Sequence, residues 1–227
     1  AQAVKTAMMG GDARAPAHDD AADEEDAAID AVRELEMTLV KVTSNSLLAP
    51  EEQRLLRLVA TASDPALQPH LEAALAHRLQ GCGSSLMLAA TAKALVLLHR
   101  WLLAGHAAWL EACLAELPHL LSSVEAHEEA EAEYVRGCVD YLAHLGDWPP
   151  ASRLRQPAAC GAALAQLPTP RLVEALPPLL ELARKALACA AVEPPSCAAL
   201  RSLWLAVAED ALCLFRAAAL AAARLHA

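Results

Sequence analysis

The stretch Leu86–Leu103, LMLAATAKALVLLHRWLL, limits what this chain can fold into more than any other. As a helix it is apolar on nearly every face, with only Lys93, His99 and Arg100 strongly polar. A helix hydrophobic all round is buried among other helices or inside a bilayer. A lysine at the centre of a span costs about 2.5–3.5 kcal/mol on insertion scales, and Arg100 adds to that. Gly81-Cys82-Gly83-Ser84-Ser85 before it supplies a turn and an N-cap, and Gly105 after it a stop, as in soluble helices. The expectation is the central rod of a helical stack, and the rest of the chain must supply the partners that bury it.

Composition agrees. Alanine and leucine, both strong helix formers, dominate, whereas aromatic residues make up only 3%. The class is all-α, and 227 residues suffice for one large domain or two small ones. The formal charge is -10, and lysine occurs only at Lys5, Lys41, Lys93 and Lys185. Such a chain is not built to neutralise a run of phosphates, so no nucleic acid partner is expected. A local cationic site for one lipid head group stays compatible with that balance. The seven cysteines lie far apart with no C-x-x-C pair, which fits buried free thiols in a reducing compartment. No secretory signal is legible, and a cytoplasmic location is expected.

Along the chain, a short helix is expected over Ala1–Met9, ended by Gly10-Gly11. The crowded carboxylates Asp19, Asp20, Asp23, Glu24, Glu25 and Asp26 suggest a solvated, poorly ordered lead-in over residues 1–26. A single helical domain is expected over 27–227. Ile29, Val32, Leu35, Leu39 and Val42 recur at helical spacing over Ala27–Thr43. Pro50 reads as a first helical position, opening a helix to about Ser63 with Leu55, Leu56, Leu58 and Val59 inward. Pro69 leads into a helix through Leu79, and the central rod follows. Ala107–Ser122, bent at Pro118, and Glu125–Leu145 read as two more. Trp148-Pro149-Pro150 is a connector, and the segment to Gln166 is short and loosely specified. Pro168-Thr169-Pro170 opens a helix to about Ala191, kinked at Pro177-Pro178; Cys197–Leu225 is the last. No fixed-period repeat is present, and a right-handed α-solenoid of about eight helices is the natural arrangement.

Nothing resembles an enzyme. His127-Glu128-Glu129 lacks a second histidine one turn on, Gly81-x-Gly83 lacks a third glycine and a P-loop lysine, and no G-x-S-x-G elbow exists. No metal site or cofactor is expected. His99-Arg100 reads as a helix-end pair reaching neighbouring carbonyls.

One ordered series of fragments is more specific. Glu34-Leu35-Glu36-Met37-Thr38-Leu39-Val40-Lys41-Val42-Thr43, a short loop, Pro50, and a helix ending Ala60-Thr61-Ala62-Ser63 open it. Ala74-Leu75-Ala76-His77-Arg78-Leu79 follows, then Lys93–Arg100 with Leu103-Ala104-Gly105, then Tyr134-Val135-Arg136 with Tyr141-Leu142. Leu172–Leu180 and Leu203–Phe215 complete it. Together these resemble the ANTH domain of clathrin assembly proteins, closest to plant-type members, over nearly the whole chain.

The resemblance implies a superhelical, non-enzymatic clathrin adaptor that binds phosphatidylinositol 4,5-bisphosphate. It places the protein at plasma-membrane clathrin-coated pits, coated vesicles and the Golgi. In the family the head group meets a motif written K, nine residues, K-x-(K/R)-(H/Y). Here Lys41 holds the first position, but the next three are Glu51, Gln53 and Arg54, and the histidine often found in the loop is Asn45. At about 1 kcal/mol per basic residue near an anionic surface, this loss removes much of the head-group affinity. Arg57, one turn beyond Arg54, offers partial compensation. Lys41, Arg54 and Arg57 are thus the expected lipid contacts. Clathrin binding in the family comes largely from a disordered tail and is expected to lie outside this chain. Some members also bind a vesicle SNARE helix along the late helices, here Leu203–Leu220. The alternative is an ANTH-like protein-interaction scaffold that has lost the lipid.

Overall fold

The computed structural model describes residues 20–81, 87–125, 130–147 and 157–226. Among the described residues the chain is all-α, with nine α-helices and a 3-10 turn at His106–Trp109. The helices are α1 (Asp20–Val42), α2 (Glu52–Thr61), α3 (Gln68–Gln80), α4 (Leu88–Leu103) and α5 (Glu111–Glu125). They continue with α6 (Ala130–Asp147), α7 (Pro157–Ala165), α8 (Thr169–Ala190) and α9 (Ala198–His226).

Packing runs largely between alternate helices: α1 lies on α3, α3 on α5, α4 on α6, and α6 on α8. That pattern makes a solenoid-like stack, closed at its far end by α9 against α4, α7 and α8. The expected rod is α4. Every side chain from Leu88 to His99 is buried, as are Trp101 and Leu102; within α4 Arg100 alone is exposed. Each of the buried leucines contributes about 1.5–3 kcal/mol of transfer free energy, which offsets the desolvation of Lys93 and His99 in the same helix. Trp101 also donates its indole N–H to the Leu58 carbonyl at 3.3 Å, joining α4 to α2. Gly105 ends the rod with φ +89°, a left-handed conformation that suits glycine. Glu72 of α3 caps the start of α5 by accepting the Ala112 N–H at 2.7 Å.

Several expectations change. α1 starts at Asp20 rather than near Ala27, so the acidic run from Asp20 is helical. Asp20 and Asp23 stand in the first turn, where the helix dipole favours carboxylates. Pro50 precedes the cap of α2, which is Glu51, and Leu56 faces solvent while Leu55 and Leu58 face the core. A 3-10 turn replaces the first turn expected at Ala107, and α5 begins at Glu111. α7 occupies the segment read as loosely specified, and α5 and α8 both continue through their interior prolines. Ala1–Met9, Gly10-Gly11, Cys82–Ser85, His127-Glu128-Glu129 and Trp148-Pro149-Pro150, for which the sequence raised expectations, fall outside the described residues. No helix among the described residues is long and apolar enough to cross a membrane.

Candidate functional site

The corner between α1 and α2 gathers the expected lipid contacts. α1 rises to Val42 and α2 leaves from Glu52, so Lys41 and Arg54 stand near the same end of this hairpin. Lys41, Arg54 and Arg57 are all exposed. Behind them, the connecting loop is fixed by two cations from other helices. Arg78 of α3 donates through Nη2 to the Thr43 carbonyl at 2.7 Å and through Nε to Thr43 Oγ1 at 3.1 Å. Lys93 of α4, only 2% exposed, donates to Ser46 Oγ at 2.8 Å and the Ser44 carbonyl at 3.1 Å. Burial holds this ammonium below the ordinary lysine value, with Cys197 opposing the shift. Further on, the Leu47 carbonyl accepts the Ala199 N–H at 3.1 Å and the Cys197 thiol at 3.4 Å. Three helices thus set the shape of one exposed loop.

The charges on this corner are largely paired. Arg54 meets Glu51 at 3.1 Å, Arg57 meets Glu34 at 2.9 Å, and Arg100 meets Glu52 at 3.4 Å. Arg57, expected to make up for missing cations, is therefore already engaged. Among the described residues Lys41 has no carboxylate partner. Exposed pairs of this kind are worth about 0.2–1 kcal/mol each, so a phosphate can displace them, at a cost in affinity. Gln53 is exposed and neutral, and Asn45 lies exposed in the loop.

A second polar cluster is wholly internal and was not foreseen. His99 of α4 does not reach a carbonyl; its Nε2 donates to Asp210 Oδ2 of α9 at 2.5 Å. Tyr141 of α6 donates to the same oxygen at 2.7 Å. All three residues are buried, and His99 Nδ1 has no partner. Burial, reinforced by the Asp210 carboxylate, holds the Tyr141 phenol protonated well above its ordinary value. The cluster ties three helices together. The acidic pair Glu209-Asp210 in an otherwise apolar stretch is the one sequence signal of it.

The outer side of α8 and α9 is unusually apolar. Val173, Leu180 and Leu187 repeat every seven residues on α8, and Leu205, Leu212 and Phe215 extend along α9; all are exposed. Trp204 Nε1 of α9 donates to the Val192 carbonyl at 3.2 Å, in the connector just past the end of α8. The inner side of the same α9 segment, Leu203, Val207 and Leu214, is core. Leu203–Leu220 therefore serves both packing and surface. A cleft of about 420 Å³ between α6 and α8 has a mixed lining, in which Lys185 pairs with Asp140 at 2.5 Å. Among the described residues no three His, Cys, Asp or Glu side chains gather as a metal would need, and the six cysteines are unbridged.

Fold and site define the class: a solenoid-like all-α stack with an exposed, weakly basic corner braced from within. No protein-family model matches the chain, and no curated protein matches its sequence.

Proposed function

We propose that the chain is an ANTH-like, non-enzymatic adaptor domain of the clathrin endocytic machinery. It meets phosphatidylinositol 4,5-bisphosphate membranes through Lys41, Arg54 and Arg57. The observation that carries this reading is the bracing of the α1–α2 loop by Arg78 and Lys93. Both residues belong to the fragments that resemble the family, and both act to present the corner where its head-group motif falls. A fixed loop between two helices brings ammonium and guanidinium donors onto one polyanion without an ordering penalty on binding.

Affinity is low. Freeing Arg54 and Arg57 from Glu51 and Glu34 costs up to about 1 kcal/mol each, and both carboxylates remain nearby to repel phosphate. Co-sedimentation with vesicles containing the 4,5-bisphosphate tests the proposal. Binding that falls with added salt and with Lys41→Glu supports it; no retention even at low salt rejects it.

The exposed apolar face of α8 and α9 favours a second reading, an ANTH-like interaction scaffold without lipid binding. Val173, Leu180 and Leu187 on α8, with Leu205, Leu212 and Phe215 on α9, are exposed side chains of the kind that take the apolar side of an amphipathic helix, such as a vesicle SNARE or coat-protein segment. Saturable binding of such a peptide, lost in Leu212→Glu, together with no vesicle binding, selects this alternative.

A further inference from the structure

Among the described residues the two most exposed large hydrophobic side chains are neighbours, Leu47 at 69% and Leu48 at 73%. They sit in the α1–α2 loop, at the same end of the hairpin as Lys41 and Arg54. We infer that this loop is a bilayer-inserting tip: Leu47 and Leu48 enter the acyl boundary of an anionic membrane while Lys41 and Arg54 meet its phosphates. The inference rests on the membrane-adaptor reading above and adds a source of affinity that the basic motif does not supply.

Part of the backbone around the tip is satisfied from other helices. The carbonyls of Thr43, Ser44 and Leu47 accept hydrogen bonds from Arg78, Lys93, Ala199 and the Cys197 thiol. Unsatisfied peptide groups are what normally keeps a loop out of the interface, because stripping water from them is costly. Here those carbonyls are turned toward α3, α4 and α9, and the leucines are the part left outward. The ordering of the loop precedes contact, so insertion loses little chain entropy.

Charge alone would hold this corner poorly, since Arg54 and Arg57 are matched by Glu51 and Glu34. Two leucines change that balance, because burying one leucine side chain favours the membrane by about tenfold or more. A bilayer fits the tip better than a protein does. Two adjacent side chains on a convex loop offer far less than the roughly 1,000 Å² that a specific protein interface needs, whereas a lipid surface accepts a small wedge.

The test uses phosphatidylcholine–phosphatidylserine vesicles with and without the 4,5-bisphosphate. The parent chain is compared with Leu47→Ser/Leu48→Ser, Lys41→Glu and Leu48→Trp, each checked for an unchanged far-UV CD spectrum and melting curve. The double serine variant is expected to lose at least about tenfold in vesicle partitioning. Leu48→Trp is expected to add blue-shifted emission that brominated acyl chains quench, beyond the signal of the parent's own tryptophans. Serine variants that bind like the parent, or an added tryptophan left unquenched while the protein co-sediments, overturn the insertion. If the serine pair abolishes binding while Lys41→Glu and removal of the bisphosphate leave it unchanged, the insertion stands and the head-group reading falls. If the parent is retained by none of these vesicles, both fall.

Discussion

Replacing Asp210 probes how the far end of the stack is held. Its Oδ2 accepts from His99 Nε2 at 2.5 Å and from the Tyr141 hydroxyl at 2.7 Å, joining α9 to α4 and α6. Removing one member of a buried, hydrogen-bonded charged cluster costs about 3–5 kcal/mol, because the groups left behind stay buried and unpaired. Asp210→Ala removes both bonds and strands two donors, so a loss of about 3–5 kcal/mol is expected. For a domain of this size that is about 6–20 °C in Tm. Asp210→Asn keeps an acceptor oxygen without the charge and should lose about 1–2 kcal/mol. Urea titrations at constant slope measure both losses. A third chain, His99→Leu/Tyr141→Phe/Asp210→Leu, should recover most of the alanine loss, because apolar replacement of a whole buried network leaves nothing unpaired. The reasoning is refuted if Asp210→Ala loses less than about 1 kcal/mol, or if alanine and asparagine cost the same.

Other outcomes follow from single groups. Lys93→Met should destabilise the fold by about 1–3 kcal/mol and speed amide exchange in the loop at Ser44–Leu47, because the Ser44 carbonyl and Ser46 hydroxyl lose their donor. Burial lowers the Lys93 pKa in the folded state, so between that depressed value and 10.5 the unfolded chain holds more protons. Stability from this group then rises with pH across that window, a slope that Lys93→Met should remove in urea titrations. Gly105→Ala should cost about 1–2 kcal/mol in thermal melts through backbone strain alone, since its φ is +89° and an added Cβ would meet nothing within 4 Å. Burial pushes the Cys113 thiol up to about 12 and the Cys160 thiol up to about 11. Both should resist iodoacetamide at neutral pH while, among the described cysteines, the half-exposed Cys197 and Cys213 label first, as peptide mass spectrometry would report.

Helix number and type were legible because alanine and leucine carry both propensity and period, and proline or glycine punctuates most ends. α7 was not, since Pro157–Ala165 is small and uncharged throughout and leaves no polar side to define a period. α1 begins ahead of Ala27, where crowded like charges mask the start, because Asp20 and Asp23 sit in a first turn that the helix dipole favours for carboxylates. At the candidate site, the identities of Lys41, Arg54 and Arg57 were readable from local spacing, but their partners were only partly so. Arg54 with Glu51 lies within one turn, whereas Arg57 with Glu34 requires knowing that α1 and α2 face each other. The roles of Lys93 and His99 were hidden for the same reason. Their partners lie 47 and 111 residues away, a distance that no local pattern spans.

The brace behind the α1–α2 loop separates two properties that are usually entangled. Arg78 and Lys93 set the loop's shape from inside, whereas Lys41, Arg54 and Arg57 decorate its outside and carry almost none of the folding free energy. Exterior charges on such a mount can be exchanged one by one, tuning attraction for an anionic target up or down while the architecture beneath stays intact.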